Sequence, residues 1–192
     1  MAESQNALIR LAKSVEDVAA GLHVFRDDLP RDETRITAII GQLFAISSTL
    51  RRLDAAQGDG RNQPSFYRIR DDIGLAIPSL RYTLDAFLAM FARSRDRPSQ
   101  LVWDDLQHRI KHEEGLGIRE RLDCYEDFFK AQLDIVTGYQ PHGLRDLRRD
   151  LIDLLDAQEI TTSQYPRQAI VDSSMYCLVL STNSAHVRLT ER

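Results

Sequence analysis

The chain has 192 residues, enough for one sizeable hydrophobic core and short for two. Hydrophobic residues make up 43% and charged residues 28%, the proportions of a globular protein, so wholesale disorder is not expected. A net charge of −4 and a pI near 5.7 supply no basic field for a phosphate backbone, which argues against nucleic acid as a partner. The two cysteines, Cys124 and Cys177, make neither a disulfide framework nor a four-ligand zinc pattern, and they suit a reducing compartment. The start MAESQNALIRLAK has no signal-peptide apolar block, and the longest apolar stretch, Ala86 to Ala92, falls far short of the ~20 residues that span a bilayer. A cytoplasmic location is expected. Basic charge is carried by 22 arginines and 3 lysines, a bias that genome composition explains as well as function does.

From Leu8 the apolar residues Leu8, Leu11, Val15, Val18, Leu22, Phe25 and Leu29 recur in steps of three and four, predicting an amphipathic helix that Pro30 stops. Asp32, or Thr34, caps a second helix with Ile36, Ile39, Leu43, Ile46, Leu50 and Leu53 on one stripe, and the two pair antiparallel. The segment from Gln57 to Gln63 reads as a loop, with two glycines and no large apolar side chain. Pro64 and Ser65 open a third helix striped from Phe66 to Phe91, bent near Gly74 to Pro78 but continuous beyond the proline. A shorter fourth helix carries Trp103 and ends at Gly115 and Gly117. The fifth runs from Ile118 through Tyr125 and Phe129 to Val136, and the sixth from Leu144 to about Glu159. Residues 1–159 are therefore expected to form an all-α bundle of about six amphipathic helices. Residues 160–192 are expected to form an irregular or disordered tail, although Met175 to Leu180 has the composition of a short strand without a partner.

Chemistry-bearing residues are few. His108 and His112 are one helical turn apart, the spacing at which two imidazoles share a metal ion, but HRIKH lacks the glutamate of HExxH and no third ligand is evident. The pairs Asp27 and Asp28, Asp71 and Asp72, and Asp104 and Asp105 read as solvated faces at helix ends or beside arginines, not as acid/base dyads. Cys124 reads as a packed thiol. No P-loop or complete GxGxxG is present. Arg119, Arg121, Arg145, Arg148 and Arg149 suggest an anionic-lipid or acidic-partner patch, but Asp146, Asp150 and Asp153 interleave them and favour a mixed salt-bridged surface. No catalytic, cofactor-binding or metal-binding residue is assigned, and no cofactor is expected. The heptad stripes are the strongest signal, read as intramolecular packing before a seam for a partner helix.

The stretch from Val102 to Gly138 resembles the helical N-terminal domains of fungal STAND, or NOD-like, receptors and related stand-alone fungal proteins, known as HeLo-like domains. The matching positions are Trp103, Leu106, Arg121, Leu122, Tyr125, Phe128 and Leu133, and IIGQLFAISSTLRRLD (Ile39 to Asp54) is a second similar stretch. The resemblance covers Asp32 to Glu159. It implies a non-enzymatic interaction or signalling module that works through a protein partner or self-association. In some relatives it is a cell-death executor whose first helix engages membranes, which is the alternative reading here. Two features depart from the pattern: the first helix is charged on every turn after Leu8 where the family is glycine- and alanine-rich, and no Walker A segment follows. A stand-alone form, a truncated gene product or an excised domain is implied. Trp103, Tyr125 and Phe129 are expected to lock the fourth and fifth helices together.

Overall fold

The computed structural model describes residues 2–58 and 62–161. They form six helices: α1 (Ala2–Arg26), α2 (Glu33–Gly58), α3 (Gln63–Arg93), α4 (Ser99–Glu114), α5 (Ile118–Val136) and α6 (Leu144–Thr161). Among the described residues there is no strand; the strand-like run from Met175 to Leu180 lies outside them.

The stripes read from the sequence are the buried faces. In α1, Leu8, Leu11, Val15, Val18, Leu22 and Phe25 are all buried, most of them against α2, with which α1 forms an antiparallel hairpin. The helix begins earlier than Leu8 and stops at Arg26, before Pro30. The amides of Asp27, Asp28 and Leu29 reach back only three residues, to Val24, Phe25 and Arg26, so the chain tightens into a turn that buries Leu29. Across the hairpin Glu16 receives a fork from Arg51, Nε to Oε1 at 2.8 Å and Nη2 to Oε2 at 2.7 Å, and the Ser47 hydroxyl adds a third bond. These bonds, Arg51 first and Ser47 next, hold the Glu16 carboxyl down at about 2 from its ordinary 4.5.

α2 extends through Gln57 and Gly58, two residues into the expected loop. α3 runs unbroken from Gln63 to Arg93 through Pro78, as its stripe predicts, although the proline offers no N–H to the Gly74 carbonyl. α4 ends at Gly115, whose φ of 69° suits a residue without a Cβ and whose N–H caps the Lys111 carbonyl.

Side-chain pairings set the helix directions. Asp72 meets Arg148 and, farther along both helices, Ser79 meets Gln158, so α3 and α6 run parallel. Tyr125 of α5 meets Gln158 near the end of α6, whereas Asp134, near the end of α5, lies beside Asp146 at the start of α6, so α5 runs against α6 and therefore against α3. Gly21 and Phe25, near the end of α1, meet Phe91 near the end of α3. A Cβ at Gly21 would lie 2.6 Å from Phe91 Cε2, so the missing side chain lets the two helices close on each other.

These pairings bring the ends of α1, α3 and α6 and the start of α5 to one end of the bundle, and α4 lies across it. Ser99 and Gln100 in its first turn donate to Asp28 and Asp32 at 3.2 Å each, and the Ile110 carbonyl near its other end accepts from Arg121 of α5 at 2.7 Å. Trp103 is fully buried beneath it, 6.4 Å from the Phe25 ring, which in turn lies 6.0 Å from Phe91. Trp103 thus fastens α4 to α1, and Tyr125 fastens α5 to α3 and α6. Between α4 and α5 the Arg121 guanidinium adds its bond to the Ile110 carbonyl.

Two tests follow from this packing. Trp103→Ala should cost ~3–5 kcal/mol of stability in urea denaturation, and an unchanged midpoint would overturn the capping role of α4. Because folding lowers the Glu16 pKa, its contribution is complete above the ordinary 4.5 and fades as pH falls towards 2. The stability gap between the wild type and Glu16→Gln should narrow across that interval, whereas a gap constant from pH 6 to pH 2 would show that the clasp contributes nothing.

Candidate functional site

The densest polar chemistry among the described residues is buried where α3, α5 and α6 meet. α5 places ten of its nineteen residues in the interior, and Tyr125 stands in the middle of that face, fully buried. α3 presents Ser79 and Thr83, one turn apart and therefore on one side of the helix. α6 presents Gln158, in register with Leu151 and Leu154.

The donors and acceptors close into a circuit. The Gln158 Oε1 can only accept, so the Ser79 hydroxyl gives it its proton over 2.7 Å. Gln158 Nε2 donates to the Tyr125 oxygen at 3.1 Å. The phenol proton returns to Ser79, where the hydroxyl lies at 2.7 Å and the main-chain carbonyl at 2.9 Å. With that proton committed, the Thr83 hydroxyl at 3.0 Å is the donor of its pair with Tyr125. Every polar atom of the ring has a partner, the condition under which a buried network rigidifies a core. Desolvation pushes the Tyr125 phenol up to about 12, against the opposing pull of its hydrogen bonds and of Arg121. It is a fixed donor at neutral pH, and the ring works as a clamp on three helices.

The seam continues in both directions. Asp72, only 4% exposed, accepts from Arg148 of α6, with Nε at 2.8 Å and Nη2 also in contact. Gln132, two turns beyond Tyr125 on the same face of α5, is fully buried, and neither its Nε2 nor its Oε1 has a hydrogen-bond partner among the described residues. The Trp103 Nε1 is likewise buried without one.

His108 and His112 stack on an exposed face with ring centroids 6.0 Å apart, and no three metal-ligating groups converge anywhere among the described residues. Cys124 is half-buried, and burial together with Asp150 and Asp127 raises its thiol to about 11, which leaves it protonated and unreactive. Two surface readings are corrected. Asp72 is buried and paired, because its position falls within the α3 stripe between Ile69 and Ala76; its neighbour Asp71 is exposed. Arg121 is fully buried and so leaves the expected mixed salt-bridged surface, in which Arg149 is shared between Asp146 at 3.2 Å and Asp150 at 3.6 Å. Asp28 and Asp104 accept from Ser99 and Gln100, and Asp105 pairs with Arg97 at 2.9 Å. An open groove of about 440 Å³ between α5 and α6 is lined by Asp127, Asp134, Asp146 and Asp150 with Lys130 and His142.

The ring partners Ser79, Thr83 and Gln158 and the amide of Gln132 are not among the residues that motif reasoning selects. Their available signal is register, since each is a polar residue at a position where its helix stripe calls for an apolar one. No protein-family model, curated protein or solved structure matches the chain.

An amide buried without partners costs ~1–3 kcal/mol, so Gln132→Met, which keeps the length of the side chain and removes its polar atoms, should stabilise the fold by about that amount. A urea midpoint that falls would show that the Gln132 amide is satisfied in solution.

Proposed function

We propose that this chain is a non-enzymatic protein-interaction module, the role that its resemblance to HeLo-like domains implies, and that it meets its partner at the end of the bundle capped by α4. The observation that supports this reading is the distribution of exposed apolar side chains. Val24 (74% exposed), Leu88, Leu101 and Leu116 belong to the last turns of α1 and α3, the first turn of α4 and the α4 to α5 turn. Those segments share one end, whereas Phe44, Tyr67, Tyr139 and Ile152 lie on other parts of the molecule. Large apolar groups exposed around the α4 cap favour association over catalysis.

The alternative, a membrane-active executor that exposes α1, requires the apolar face from Leu8 to Phe25 to leave the core. Among the described residues, the helix long and apolar enough to cross a membrane is α3, and 44% of its apolar window is buried in the bundle, as befits a core helix.

The test combines Val24→Glu, Leu88→Glu and Leu101→Glu in one chain. These positions are exposed, so the melting temperature should hold. Self-association measured by light scattering, or cross-linking to a purified candidate partner, should be lost. A variant that associates as the wild type does would overturn the assignment to this end, and leakage of anionic liposomes at micromolar protein would favour the executor instead.

A further inference from the structure

We infer that α6 is a separable strap: it opens from α3 and α5 as a unit while the rest of the bundle stays folded, and the Ser79, Tyr125 and Gln158 ring with the Asp72 and Arg148 pair holds it shut. This inference stands apart from the proposed function.

The first ground is the chemistry of the interface. α1 meets its neighbours through apolar side chains at every buried position from Leu8 to Phe25. α6 buries three leucines, Leu151, Leu154 and Leu155, with Leu147 packed against the core beside them, and adds the polar heads of Arg148 and Gln158. The surfaces that receive those anchors are polar as well. Asp72 and Ser79 come from α3 and the Tyr125 hydroxyl from α5. When α6 lifts away, each of these groups exchanges a protein partner for water, so the polar half of the interface opens onto groups that water satisfies. Separating α1 from α2 would expose an uninterrupted apolar face instead.

The second ground is connectivity. Among the described residues, α6 is joined to α5 through residues 137–143, where Gly138 and Gly143 sit at φ of 90° and 73°. A glycine at each end of this connection lets the strap swing without unwinding Val136 or Leu144. Its departure removes the contact of α4 with α6 but leaves α1 packed on α2, α2 on α5, α3 on α5 and α4 on α3. A unit held largely through polar anchors and joined by a glycine-flanked connection is the kind that opens below the global unfolding free energy.

Hydrogen exchange read by mass spectrometry on the full chain at neutral pH tests the proposal. The amides of α6 should exchange at one common rate, at least ~10-fold faster than those at the centres of α1, α2 and α5, and with a weaker dependence on urea. Gln158→Ala should accelerate α6 a further ~10-fold and leave α1 and α2 unchanged, and Arg148→Ala should act in the same direction by less. Exchange of α6 at the rate and urea dependence of α1 would overturn the proposal. So would a smooth gradient of protection along α6, which is fraying, or variants that accelerate every helix equally.

Discussion

A tyrosine hydroxyl taken wholly out of water must find partners inside the protein, and in this bundle the requirement is met only if three helices arrive together. Ser79 and Thr83 of α3 and Gln158 of α6 converge on Tyr125 of α5 at distances between 2.7 and 3.1 Å. A displacement of any one helix by an ångström would strand buried donors and acceptors, each costing ~1–3 kcal/mol. Apolar packing tolerates slippage by a turn; hydrogen bonds at these distances do not. The leucine and isoleucine stripes therefore supply most of the cohesion, and the ring fixes the register in which they meet.

With that register set, the placement of α4 follows. The twenty-four residues between α3 and α5 hold α4, whose first turn bonds Asp28 and Asp32 and whose Ile110 carbonyl receives Arg121 of α5, so α4 lies across that end of the bundle. Trp103 fills the space beneath, against Phe25. Gly21 makes the same end compact by letting Phe91 approach the backbone of α1.

Much of this was legible in the sequence and part was not, for reasons that differ by residue. Apolar stripes with a period of 3.6 identify α1 to α6 because burial of one face is what stabilises a helix in a globular protein. Their ends moved by a few residues: α1 and α2 continue past their first and last apolar anchors, and the turn before Pro30 is tighter than the helix it ends. The polar seam was harder to see, because a charged or amide side chain in an amphipathic pattern ordinarily marks the solvent face. Asp72, Arg121, Gln132 and Gln158 break that rule. Their positions within the stripes offered a clue, but their partners lie on other helices, and the sequence does not say which faces oppose one another. The crossing of α4 was hidden for the same reason, since it depends on pairings between distant segments.

The sequence separation within the ring bears on how the protein is made. Ser79 and Gln158 are 79 residues apart, whereas Glu16 and Arg51, which clasp the first hairpin, are separated by 35. Chains leave the ribosome N-terminus first at ~5–20 residues per second, so the α1 and α2 hairpin is complete while α6 is still being synthesised. During that interval Tyr125 has emerged and Gln158 has not. A nascent bundle therefore passes through a stage in which its central phenol is satisfied by α3 and solvent alone, and the last helix to appear is the one that dries the site.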